Sequence, residues 1–302
     1  MAPLGEQIAE PILVTGATGF VGATLMSRLS TMGRHAVPVA RHAQNSTQTQ
    51  TCDLEDAAAV ESLIDRIRPK TIVHLASHVT GARDLDAVLT TFKGTLATTI
   101  HVLAAATKAK VERVVLAGSM EELPLDQAPR YPYAAAKRAA AEYARFFNRA
   151  WELSTCTARI GMVYGPGQRA VRRLVPYVIL SQLSGNTPQL TSGRRIVDWI
   201  YVDDVVDGLL ALADERAPPG DSFDLGSGQE ASVAEVALAI TKITGGPAPE
   251  FGAINDRLND AAARLDVART EQALGFRSKV ELEQGLRSTV VWYRRQRALH
   301  QL

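Results

Sequence analysis

Five short apolar runs punctuate the first half of the chain, at residues 12–14, 36–40, 71–75, 113–117 and 154–160. The first reads as a short, fully buried strand and the others as further strand candidates. Between them, residues 21–32, 54–68, 85–108 and 134–152 are rich in Ala, Leu and charged residues at helical spacing. Parallel neighbours need crossovers that cover both faces of a sheet, so this alternation predicts an α/β fold built on a doubly wound parallel (Rossmann) sheet. Residues 1–10 show no periodicity and read as a loose lead-in, and the polar stretch 41–50 as a flexible loop after the second strand.

The alternation stops near Gly165-Pro166-Gly167. Beyond it the chain turns to short strands, Pro/Gly turns and helices expected near 171–184, 203–215 and 232–244, the texture of a smaller α/β lobe. The acidic, apolar segment from Val202 to Asp214 is suited to return beneath the sheet. The expected division is therefore interleaved: residues 1–165 with roughly 196–225 form the dinucleotide-binding part, and 166–195 with 226–302 the substrate lobe.

Composition narrows the function classes. With 33 Lys and Arg against 32 Asp and Glu among 302 residues, the chain has no broad attraction for nucleic acid or an anionic membrane. The longest uncharged run, Leu174 to Gly193, holds two prolines and many polar residues, so it is not expected to span a bilayer. Two cysteines make no disulfide framework, and without a basic start, an apolar h-region and a small-residue cleavage site secretion is not expected. A cytoplasmic protein is expected.

The first strand runs into Gly16-Ala17-Thr18-Gly19-Phe20-Val21-Gly22, a Gly-x-x-Gly-x-x-Gly array opening a helix. Such an array makes a tight turn, lets the backbone approach a pyrophosphate and aims the helix N-terminus at phosphate. An acidic residue after the second strand would accept bonds from a ribose 2′-OH, but Ala40, Arg41 and His42 stand there. Arg41 suits a 2′-phosphate, which predicts NADP(H) as the preferred cofactor, with NAD(H) as the alternative if Arg41 only begins a solvated loop. Asp53 and Leu54 are candidates for the adenine, or Asp53 caps the next helix.

Tyr133 and Lys137 stand four apart on one helical face, and Ser119 follows the strand 113–117. A phenol beside an ammonium can pass a proton to or from a carbonyl or alcohol oxygen, and a serine hydroxyl can hold that oxygen. Lys137 and an oxidised nicotinamide are expected to favour the Tyr133 phenolate. His74 reads as a packing strand residue, His78 as a substrate contact or a solvated side chain, and the other histidines form no metal cluster.

In this order the motifs resemble the extended short-chain dehydrogenase/reductase family, in its epimerase/dehydratase group acting mainly on nucleotide sugars. The resemblance covers nearly the whole chain: the glycine array, His74-Leu75-Ala76, Ser119, Tyr133 with Lys137, Arg159 to Gly167, Asp198-Trp199-Ile200-Tyr201-Val202-Asp203-Asp204, and Leu274-Gly275-Phe276. It implies a nucleotide-sugar substrate, a homodimer built on the two long helices before and at the Tyr, and cofactor contacts from Thr18, Phe20, Val21, Leu75, Ala76, Ser77 and Ile160. Lys137 would bind the nicotinamide ribose and tune Tyr133. Two departures loosen the substrate assignment: Met162 stands where Asn is usual, and Val197 where Arg often precedes Asp. Arg194, Arg195 and Arg257 could supply diphosphate contacts instead, or remain solvated.

The segment Gly118-Ser119-Met120-Glu121-Glu122 bears on the reaction. In sugar 4,6-dehydratases the matching stretch is similar to Thr-Asp-Glu or Thr-Ser-Glu. Met120 cannot serve as an acid, although Glu121 could be an auxiliary base. A Gly-Ser-x-Glu-Glu stretch also resembles reductases of nucleotide-linked 4-keto-6-deoxyhexoses. With NADPH this makes a 4-ketoreductase the expected activity, with an epimerase, a 4,6-dehydratase, a reductase of a non-sugar carbonyl and a catalytically silent NADP-binding regulator as alternatives.

Overall fold

A computed structural model describes residues 5, 7–42, 48–122, 127–214, 216–256 and 264–299. Its first half alternates strand and helix: β1 (Ile12–Thr15), α1 (Phe20–Thr31), β2 (Ala36–Ala40), β3 (Gln50–Thr51), α2 (Ala57–Ile67), β4 (Thr71–His74), α3 (Asp86–Thr91), α4 (Thr98–Lys108), β5 (Arg113–Ala117), α5 (Pro132–Trp151) and β6 (Thr155–Ile160). The second half runs β7 (Met162–Tyr164), α6 (Leu174–Leu183), β8 (Gln189–Leu190), β9 (Ile196–Tyr201), α7 (Val202–Ala213), β10 (Asp221–Leu225), β11 (Glu230–Ser232), α8 (Val233–Thr244), β12 (Glu250–Phe251), α9 (Val267–Leu274) and α10 (Leu282–Ala298).

Seven strands form one parallel sheet in the order β3-β2-β1-β4-β5-β6-β10. This is the expected doubly wound sheet. All four residues of β1 are buried because helices cover both faces. Successive side chains alternate: Ile12 and Val14 join a core with α1 and α7, whereas Leu13 joins the opposite core with α2 and α4. The strand order reverses between β1 and β4, and a crevice opens there at the strands' C-terminal ends.

Local chemistry shifted several boundaries. Helix α2 begins at Ala57 rather than at 54, because the Asp56 carboxylate accepts the backbone N–H groups of Ala58 and Ala59 at 2.9 and 3.1 Å. Pro132 opens α5, where its missing N–H costs nothing. The expected helix 85–108 is continuous but contains a π-helical stretch, Phe92–Ala97, between α3 and α4.

Helix α7 packs against α1 and the underside of β5 and β6, with most of its residues buried. Strand β10 then pairs with β6. A third core lies outside the large sheet, where α6, α8 and α10 surround β7, β9 and the buried Tyr164, Trp199 and Tyr293. No helix among the described residues is long and apolar enough to cross a membrane.

Candidate active site

A cleft of about 1020 Å³ runs along the C-terminal ends of the parallel strands and under α6, β8 and β9. One end is walled by Arg41, Cys52, Asp53 and Leu54, and the other by Gln189, Thr191 and Ile254. Between them lie the glycine turn and the Ser119, Tyr133 and Lys137 side chains.

The turn is shaped for a dinucleotide. Gly16 has φ +67°, and a Cβ on Gly22 would lie 2.1 Å from the Gly16 carbonyl oxygen, so α1 could not approach β1 with any larger residue there. Gly19, the N-cap of α1, provides no capping side chain, which leaves first-turn N–H groups for a ligand's phosphates. Thr18, Phe20, Val21, Leu75, Ala76, Ser77 and Ile160 line the same cleft. Ser77 Oγ is 3.0 Å from Thr95 Oγ1 on the π-helical stretch, and the Leu54 carbonyl lies 2.9 Å from His101 Nδ1. Asp53 accepts the Glu55 N–H, but Asp56 caps α2.

No carboxylate follows β2. Arg41 stands there, mostly exposed, with Glu55 at 3.9 Å as a distant counter-charge.

Ser119 and Tyr133 are hydrogen-bonded to one another, and both are more than nine-tenths buried. Lys137 Nζ donates to the Ala117 carbonyl at 2.5 Å and faces the Tyr133 ring 5.8 Å from its centre. Burial pushes Lys137 down to about 8, against the opposing pull of Glu122. The expectation of a more acidic Tyr133 is not met in the chain itself. Burial raises its pKa, and Glu122 adds to that rise, outweighing the Ser119 hydrogen bond and the Arg173 charge.

The remaining candidates separate. Met120 and Met162 line the cleft. Glu121 also lines it, but its carboxylate accepts Arg195 Nη2 at 2.6 Å and a bond from Tyr131, so it is an engaged anion rather than a free base. Arg195 is correspondingly turned onto Glu121 and half-buried. Arg194 is exposed and outside the cleft wall. His78 is also exposed, and its backbone N–H binds the Gly94 carbonyl and Thr95 Oγ1. Arg257 lies outside the described residues. His74 packs as expected, with Nδ1 2.8 Å from Thr15 Oγ1. Among the described residues no cluster could hold a metal ion.

Sequence reasoning overlooked four groups in this region. Tyr131 stacks beside Tyr133 at 6.3 Å and carries the Arg83 guanidinium 5.4 Å above its ring. Arg173, ahead of α6, brings positive charge toward Tyr133. Glu122 is 4% exposed beneath Ser119. The two glutamates side by side after β5 were the available signal for Glu122.

Comparison with known proteins agrees with the geometry. Residues 12–226 match the model of the NAD dependent epimerase/dehydratase family. The chain belongs to that family. It is accordingly an NAD(P)-dependent enzyme of the extended short-chain dehydrogenase/reductase type, as the ordered motifs implied. It is 31% identical to a UDP-glucose 4-epimerase of Mycolicibacterium smegmatis, over 93% of this chain and 98% of that protein. A dTDP-glucose 4,6-dehydratase of Actinoplanes sp. is 29% identical over 95% and 98%. Among solved structures, the Thermus thermophilus UDP-glucose 4-epimerase in complex with NAD superimposes with a TM-score of 0.83 at 25% identity, covering 94% of this chain and 98% of that one. The family member described here thus shares its fold and span with both epimerases and dehydratases.

Proposed function

We propose that this chain is a nucleotide-sugar 4-epimerase, working by transient oxidation and re-reduction at one ring carbon. The observation that carries the reading is the state of the Ser119–Glu121 segment. Ser119 and Tyr133 are hydrogen-bonded in the cleft, whereas Met120 offers no acid and Glu121 is held by Arg195. Redox at a carbinol carbon needs only the first pair; loss of water from the sugar would need the acid and the base as well. Similarity to UDP-glucose 4-epimerases over nearly the whole chain supports the same choice.

The residues present fit a nicotinamide dinucleotide, with the glycine turn on its phosphates and Lys137 at its nicotinamide ribose. When bound, that cofactor accepts and returns a hydride. Tyr133 takes the proton of the sugar hydroxyl as the carbon is oxidised and returns it on reduction. Burial favours the protonated phenol, and a bound cofactor would supply, in its oxidised ring, a positive charge that favours the phenolate able to accept the sugar proton. Ser119 donates a hydrogen bond to the same oxygen, and Lys137 supplies charge beneath the phenol.

A second reading, the NADPH-dependent 4-ketoreductase, is favoured by Arg41 at the end of β2 and the lack of a carboxylate there. Incubation with UDP-, dTDP-, GDP- and CDP-hexoses, followed by NMR of the sugar, separates the two. Formation of a C4 epimer without net cofactor consumption is expected. NADPH oxidation with a nucleotide 4-keto-6-deoxyhexose, and no epimer from any hexose, would replace the epimerase by the reductase.

The dimer is proposed on the exposed apolar residues Leu85, Leu89, Phe92, Tyr143 and Phe146, which lie on or beside α3, the π-helical stretch and α5. Light scattering after size exclusion is expected to give twice the chain mass. A monomer at micromolar concentration would refute it.

A further inference from the structure

Glu122 is a buried acid that the proton transfer above does not use. Its Oε1 accepts the Ser119 backbone N–H at 2.7 Å. Lys137 Nζ holds the Ala117 carbonyl, so carboxylate and ammonium grip the two ends of the tripeptide Ala117-Gly118-Ser119. Terminal Cα atoms of a tripeptide are at most roughly 7 Å apart, so both groups act on one short segment, and the Glu122 charge acts on Lys137. The space for the carboxylate is built in: a Cβ on Gly118 would stand 2.7 Å from Glu122 Oε1.

The charges around Glu122 leave Lys137 as its working partner. Arg159 on β6 also faces it, but that guanidinium is bound through Nε and Nη2 to Asp224 on β10, at 2.6 and 2.7 Å. Asp224 repels Glu122, Tyr133 faces it from α5, and the neutral His74 on β4 is within reach of the Lys137 charge. An ammonium buried among these groups would shed its proton without an internal anion.

We propose that Glu122 is a positioning residue of the active site: its carboxylate fixes the Ser119 turn and is the internal counter-ion that keeps Lys137 charged beneath Tyr133. The inference rests on the placement of Tyr133 and Lys137 in the active site and adds a residue to it. In support, burial raises Glu122 and lowers Lys137, and each shift is opposed by the other group's charge, so each group's proton depends on the other's.

Removal of a negative charge lowers the proton affinity of every group that faces it. Glu122→Gln keeps an oxygen for the Ser119 N–H and removes the charge. In protein labelled with ¹³C at the lysine ε-carbon, with the Lys137 signal assigned by its loss in Lys137→Arg, the wild-type signal is expected to titrate near 8. The Gln variant is expected to titrate lower by about one pH unit or more, and Glu122→Asp within about half a unit of wild type. The turnover profile of the Gln variant moves to lower pH in the same sense, a change that loss of packing alone would not produce. An unmoved Lys137 midpoint in folded Glu122→Gln overturns the proposal. Should that variant not fold, the wild-type protein decides: the Glu122 carboxyl carbon and the Lys137 ε-carbon must each show two-step titration, and independent one-step curves overturn it. Undiminished turnover in Tyr133→Phe would sink the active-site reading instead, and the lysine titration would not be affected.

Discussion

Arg195 reaches across the cleft to Glu121, Nη2 to Oε1 at 2.6 Å, and ties the start of β9 to the loop after β5. Both side chains are largely shielded, so the bond is stronger than a surface ion pair, and losing one partner takes a charge-assisted bond from the other. Arg195→Leu is expected to cost about 1–3 kcal/mol in chemical denaturation. If Glu121 is a bridge rather than a base, Glu121→Gln keeps turnover within about tenfold of wild type, below the roughly 100-fold loss usual when a general base is removed. A drop of that larger size, with folding intact, would restore Glu121 as a proton acceptor and reopen the dehydratase reading.

Tyr133→Phe removes the hydroxyl that shares a hydrogen bond with Ser119 and leaves the ring in place. Turnover is expected to fall about 10²- to 10⁴-fold, the range for loss of a positioned acid–base group. Dinucleotide affinity, measured by titration calorimetry, should change little because the glycine turn is untouched. Turnover within threefold of wild type would assign the proton transfer elsewhere.

The main sheet was legible because β1, β4 and β5 carry short apolar stretches buried on both faces, while β6, with Thr155, Thr157 and Arg159 among its residues, was placed by its position in the strand–helix alternation. Strand β3 was not, since two polar residues, the half-buried Gln50 and the exposed Thr51, carry no pattern. Helix α10 could have been read: Leu282, Leu286, Val290 and Tyr293 recur at helical spacing, and the last three are buried. The glycine turn and the Tyr133/Lys137 pair were visible because their spacing is local. Arg173, Arg83 and the Glu121–Arg195 bond were not, because tertiary folding joins residues far apart in the chain. Tyr133 acidity shows the same limit: spacing reveals the ammonium beside the phenol but not the burial and the Glu122 charge that raise its pKa in the chain itself.

Arg41 decides the cofactor prediction. Its side chain is mostly exposed at the end of β2, with the Glu55 carboxylate at 3.9 Å as a distant ion-pair partner. A charge-assisted bond to a 2′-phosphate contributes about 1.5–3 kcal/mol, a tenfold or greater preference. Wild-type protein is expected to bind NADPH more tightly than NADH by reduced-nicotinamide fluorescence, and Arg41→Ala to lose about tenfold toward NADPH alone. Equal loss toward both dinucleotides, or a wild-type preference for NADH, would remove the NADP assignment.

His74 sets part of the acid stability. Burial holds its pKa down to about 3, with the Lys137 charge adding to the effect, and its ring nitrogens face Thr15 and Thr99. The unfolded chain binds a proton at this residue near pH 6.5, whereas the folded chain does not until about 3. Above pH 6.5 the difference vanishes. Between those values the unfolded state holds the extra proton, so folding weakens by up to about 1.4 kcal/mol for each pH unit of fall. His74→Asn cannot titrate. It should be less stable at pH 7 for lost packing, yet its stability should fall less steeply from pH 6 to pH 4 in urea denaturation. Identical slopes for the two proteins would show that the wild-type ring takes up its proton without unfolding.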